Sequence, residues 1–184
     1  MNKNIVAFSD IKAGWMNMHV YDYINEETRK MRISYLQNFF DDLLMACKFL
    51  LSDITGIYEV YIDQEGFEAS LKLYKYRDEQ ISVEIIEDFF EDELPYTGSS
   101  EDWDNFYRAN ADSAPTTLTY FNVEISLFVS NILMLIKQNK KDYNEGFVLS
   151  PADELDMQLF NQVEEMYNKH ILERREEDEE VGNS

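Results

Sequence analysis

The chain has 184 residues, with 37 acidic against 16 basic side chains, a formal net charge of -21 and an apolar fraction of 45% that includes twelve Phe and twelve Tyr. That apolar content belongs to one globular domain, able to bury roughly 70% of the surface its unfolded chain exposes, and it excludes global disorder. A charge of this size and sign repels nucleic acid and anionic membrane and steers basic partners onto the surface.

The lone Cys47 leaves no internal disulfide to form, which points to a reducing compartment. The first ten residues hold one lysine and only five apolar side chains before an acid, so they do not read as a signal peptide. The longest apolar run, 125–136, is broken by Ser126, Ser130 and Asn131 and falls far short of the roughly 20 residues of a membrane span. The expectation is a cytoplasmic protein with no membrane partner.

In chain order, two β-prone runs at 5–8 and 15–21 flank Gly14 and predict a hairpin. A helix is expected next, because Ile33, Leu36, Phe40, Leu43, Cys47 and Leu50 recur at spacings of three and four. Cys47 lies in that stripe and reads as a small buried hydrophobe. After Gly56 come three runs of period two: Tyr58, Val60, Ile62; then Phe67, Ala69, Leu71, Leu73; then Ile81, Val83, Ile85. Alternation of this kind gives each strand one buried and one wet face, and the turn 63–66, acid first and glycine last, predicts an antiparallel meander.

Periodicity fails over 88–117, which contains Pro95, Pro115 and Gly98 and is expected to be a long functional loop. A central helix is predicted over 118–138, with Lys137, Lys140 and Lys141 at its negative pole. Ser150 and Pro151 read as the start of a last helix that places Leu155, Leu159, Val163, Met166 and Ile171 on one face. Residues 1–172 are therefore expected to form a single α+β domain: an antiparallel sheet of about five strands, the N-terminal hairpin plus the three-stranded meander, with helices packed on one face. Residues 173–184 read as a charged tail without fixed structure.

Charge is unevenly spread. Residues 78–136 carry thirteen carboxylates and one basic side chain, Arg108. Within 91–107 aromatics are interleaved with the acids, and a segment that is only solvated has little use for them. The candidate partner-binding residues are Glu91, Asp92, Glu93, Tyr96, Glu101, Asp102, Trp103, Asp104 and Tyr107. The tyrosines and Trp103 would act as anchors, and the carboxylates would steer and set register.

Chemistry finds little foothold in the sequence. His19 and His170 have no supporting motif, and the six glycines are too scattered to cradle a phosphate. The acidic pairs, such as Asp41 and Asp42, lack the alternating spacing and terminal glutamate of a calcium loop, so neither a metal nor any other cofactor is assigned. No catalytic residue is assigned either.

Small size, strong acidity, an α+β pattern and the hairpin Tyr58-Glu-Val-Tyr-Ile-Asp-Gln-Glu-Gly-Phe67 resemble bacterial immunity proteins, which neutralise toxins exchanged between competing cells. The resemblance implies a non-catalytic inhibitor bound tightly to a basic cognate toxin, its carboxylates occupying a cleft built for phosphates. Two rival classes are an acidic adaptor or scaffold subunit of a larger assembly and an enzyme using a carboxylate-bound divalent cation.

Overall fold

The computed structural model describes residues 5–22, 26–63, 68–76, 79–87 and 116–182. Their order is β1 (Val6–Lys12), β2 (Trp15–Asp22), β3 (Glu27–Ser34), α1 (Phe39–Leu50), β4 (Gly56–Asp63), β5 (Glu68–Lys75), β6 (Gln80–Glu87), β7 (Thr116–Glu124), α2 (Ile125–Asp142), a π-helical turn Tyr143–Phe147, a 3-10 turn Pro151–Asp153 and α3 (Met157–Gly182). The fold is α+β, but the expected single sheet of about five strands is replaced by two antiparallel meanders, β1-β2-β3 and β4-β5-β6-β7.

Two strands account for the difference. Residues 27–34, part of which was expected to open the first helix, form β3, with Met31 and Ile33 inward and Lys30 and Arg32 exposed. Ile33 and Leu36 matched the helical spacing by coincidence, and α1 begins only at Phe39. Likewise the central helix does not start near Leu118: residues 116–124 are β7, in which Thr119, Phe121 and Val123 alternate inward, and the helix begins at Ile125. A strand running directly into a helix offers no polar break for a periodicity argument to find. Ser150 and Pro151 do not open the last helix either, because Asp156 caps it, accepting from the backbone N–H of Gln158 at 2.8 Å and of Leu159 at 3.1 Å.

The N-terminal hairpin turns on Ala13 (φ 51) and Gly14 (φ 79), the pair of left-handed residues that a two-residue turn matched to strand twist requires. Gly14 also ties the hairpin down. Its N–H donates to the Gly146 carbonyl at 2.9 Å and its carbonyl accepts from Tyr35 N–H at 2.8 Å.

Both sheets turn their apolar faces to one core. Met16, Met18 and Val20 from the first, Val60, Leu71 and Val83 from the second, and Phe40, Leu43, Cys47, Phe128, Ile132 and Val163 from the helices belong to a single buried cluster. The sheets meet where Thr119 Oγ1 on β7 donates to the buried carboxylate of Asp22 on β2. Among the described residues no helix is long and apolar enough to cross a membrane.

Candidate functional site

With one face of the four-stranded sheet on the core, the alternate side chains of β4 to β7 stand on the other. Register aligns Glu59, Lys72, Glu84 and Tyr120 in one row across the four strands, and Ile57, Tyr74, Ser82 and Asn122 in the next. This outer face exposes large side chains. Tyr61 and Tyr76 are each 65% exposed, Ile57 60% and Tyr120 49%. Scattered apolar residues are normal on a surface; here four large ones stand on one sheet face around the charged row of Glu59, Lys72 and Glu84, which makes this face the candidate interaction site.

Polar contacts hold the patch in shape. Lys72 Nζ lies 3.4 Å from Glu59 Oε1, Thr117 Oγ1 donates to Glu84 Oε1 at 2.9 Å, and Ser82 Oγ donates to Asn122 Oδ1 at 2.6 Å. Tyr74 donates its hydroxyl to Glu84 Oε2 and stacks on Tyr76 with centroids 6.2 Å apart. The Glu84 carboxylate, accepting that proton, pushes the Tyr74 phenol up to about 12. Tyr74 thus stays a neutral donor across the physiological range, and Glu84 is fixed from two sides.

The two ends of this sheet differ in charge. Asp63 closes β4, Glu68 opens β5 and Glu87 closes β6, so three acidic positions share one end. Glu87 pairs with Thr116, which means that segment 88–115 leaves and returns on adjacent strands at that same end. The sequence-derived binding residues Glu91, Asp92, Glu93, Tyr96, Glu101, Asp102, Trp103, Asp104 and Tyr107 lie in that segment, outside the described residues. Tyr61, Tyr76 and Tyr120 were not singled out from the sequence, although Tyr61 falls on the wet side of the β4 alternation.

The first sheet is nearly balanced in charge. Residues 1–37 contain five basic and four acidic side chains, whereas the other 147 contain eleven and 33. Its outer face shows Lys12, Lys30 and Arg32, together with Asp10, around a hollow of about 380 Å3, with the Arg32 guanidinium 3.9 Å above the Trp15 ring.

Groups for covalent chemistry are poorly placed among the described residues. Burial pushes the Cys47 thiol far up, which keeps it protonated and inert. Ser9 Oγ sits 2.9 Å from His19 Nε2, but it also lies 3.3 Å from Asp10 Oδ2, so the carboxylate competes for the hydroxyl proton that a nucleophile must give to the imidazole. No three His, Cys, Asp or Glu side chains converge as a metal site among the described residues. No protein-family model, curated protein or solved structure matches this chain.

Proposed function

We propose that the protein is a non-catalytic binding protein whose outer four-stranded sheet face, together with the acidic segment 88–115, engages a basic protein partner. The observation that carries this reading is the exposed tyrosine set Tyr61, Tyr76 and Tyr120 on an open sheet face, flanked at one end by Asp63, Glu68 and Glu87. Tyrosine supplies large contact area with few torsions to freeze and a hydroxyl for the partner's polar groups, while the carboxylates speed encounter and fix orientation. In the role that the immunity-protein likeness implies, the partner is a toxin with a basic, phosphate-binding cleft, and the acidic segment fills that cleft. The near-balanced charge around the first sheet, against the acidic remainder of the chain, supports orientation as well as attraction, since a basic partner is drawn more strongly to the second sheet.

The test is recovery of the partner from the native host with the wild-type chain and with a Tyr61→Ala, Tyr76→Ala, Tyr120→Ala variant. Retention of one basic protein by the wild type and its loss with the triple variant is the expected result. Equal recovery by both moves the interface off this face.

A further inference from the structure

A second site lies at the far end of the same sheet, away from the acidic segment. A cleft of about 480 Å3 opens where the end of α1, the end of β5 and the middle of α3 come together. Its walls include Leu50 and Ser52 from the α1 end, Lys75 from β5, and Met166, His170 and Arg174 from α3.

Three of these side chains are unusual for a wall that serves packing alone. Lys75 is only 4% exposed, and its ammonium donates to the Ser52 carbonyl oxygen at the negative pole of α1. That contact explains a cation at this place. It does not explain His170, whose Nε2 is buried and has no hydrogen-bond partner among the described residues. Native proteins seldom leave such an atom unpaired without a functional reason. Arg174 is the third, its Nη2 3.1 Å from Glu79 Oε1; a guanidinium has five N–H donors, more than that single contact uses.

The charges are arranged by depth. Glu79, Glu173, Lys169 and Asp53 stand at the exposed rim, where Lys169 lies 3.4 Å from Glu173. Lys75, His170 and the better-covered Arg174 form the inner surface. Burial, then Arg174 and Lys75, hold the His170 pKa below the ordinary imidazole value, outweighing the opposing pull of Glu173 and Glu79. The acidic end of the sheet is far away: β4 spans seven steps, roughly 23 Å at about 3.3 Å per residue, well over two Debye lengths of about 8 Å at physiological salt. Its repulsion on an anion is largely screened here.

We propose that this cleft binds a small oxyanion, the phosphate or carboxylate group of a ligand, with His170 Nε2 and the Arg174 guanidinium donating to its oxygens and Lys75 supplying buried positive charge. A bound anion gives His170 Nε2 the hydrogen-bond partner it lacks among the described residues. It also favours the imidazolium, so binding strengthens as pH falls through the His170 titration and His170 becomes harder to deprotonate in the complex.

The two histidines make the test direct, because His19 on the first sheet serves as an internal control. Imidazole NMR titrations of the full chain would be run at constant ionic strength, with sodium chloride replaced stepwise by inorganic phosphate in one arm and by acetate in the other. The expected result is a saturable rise of at least half a pH unit in the His170 midpoint with His19 unmoved, equivalent to about threefold tighter binding to the protonated form. A rise with phosphate alone identifies a phosphate-bearing ligand, and a rise in both arms a carboxylate-tolerant site. Arg174→Gln, on a partly exposed helix position, should abolish the rise while leaving the thermal melt in place; Lys75→Met is the second variant, its fold checked by the same melt. A His170 midpoint unchanged in 20 mM phosphate and also in 20 mM acetate, or equal movement of both histidines, overturns the proposal.

Discussion

The Tyr143 ring lies flat on that of Phe40, with centroids 4.0 Å apart and planes 10° apart, and its hydroxyl donates to Asn38 Oδ1 at 2.9 Å. One side chain thereby joins the π-helical turn after α2 to the start of α1, and Phe147 extends the stack at 4.9 Å. Tyr143→Phe keeps the stack and loses the hydroxyl contact, a cost of about 0.5–1.5 kcal/mol. Tyr143→Ala removes a fully buried ring and should cost about 3–5 kcal/mol. Urea denaturation of the two variants separates these contributions, and equal losses would mean that the ring itself stabilises nothing.

A buried hydrogen bond anchors the first strand. Asn131 on α2 accepts the backbone N–H of Val6 through Oδ1 at 2.8 Å, across 125 positions of sequence. Asn131→Leu leaves that N–H without an acceptor, so a loss of about 1–3 kcal/mol is expected. Amide exchange at Val6 should accelerate more than exchange at Val83 in the other sheet. Uniform acceleration at both would mean that β1 does not open separately from the rest.

The hairpin turn gives a pair of opposite outcomes. At Gly14, with φ of 79, an added Cβ would come within 2.8 Å of Tyr35 Cδ1, so Gly14→Ala combines backbone strain with a clash. Its expected cost is about 1–2 kcal/mol or more. Ala13, held at φ 51, already bears the left-handed penalty, and Ala13→Gly should be neutral or stabilising. Thermal melts that rank the two variants the other way would contradict the turn.

Burial holds the Asp42 carboxyl above its ordinary range, against the opposing hydrogen bond from Gln37. A raised folded-state pKa gives stability that is fully present below the unfolded value of 3.8 and is lost as pH rises through the folded value. Asp42→Asn removes that loss. The stability of the variant relative to wild type should therefore increase between pH 3.5 and pH 7, as read by chemical denaturation at a series of pH values. A difference that stays flat, or decreases, would show that the carboxyl ionises as freely in the fold as in the unfolded chain.

The meander was legible because three consecutive runs alternate cleanly, and Val60, Leu71 and Val83 are buried as that pattern requires. β3 was hidden because only Met31 and Ile33 mark its inner face between Arg29, Lys30 and Arg32, and Ile33 also fitted a helical stripe with Leu36 and Phe40. β7 was hidden for a related reason: Phe121 and Val123 run straight into Ile125 and Phe128 with no turn residue between strand and helix. The tyrosine face could be read only in part, since Tyr61 shows its side by alternation but Tyr120 needs β7 to be a strand. The cleft was not legible at all. Lys75 and His170 stand 95 positions apart, and only the packing of α3 across the end of the sheet brings them together.

The most direct test of the account is stopped-flow association of the recovered partner with three forms of the chain across a range of salt: wild type, the triple tyrosine variant, and Glu91→Lys, Asp92→Lys, Glu93→Lys. Charge reversal in the acidic segment should slow association and flatten its salt dependence, because long-range attraction acts on the on-rate. Loss of the three tyrosines should leave association within a few-fold and speed dissociation by about 30-fold or more, the equivalent of a contact worth about 2 kcal/mol. Association and dissociation rates unchanged in both variants would contradict the central claim that the acidic segment and the tyrosine face form one binding surface.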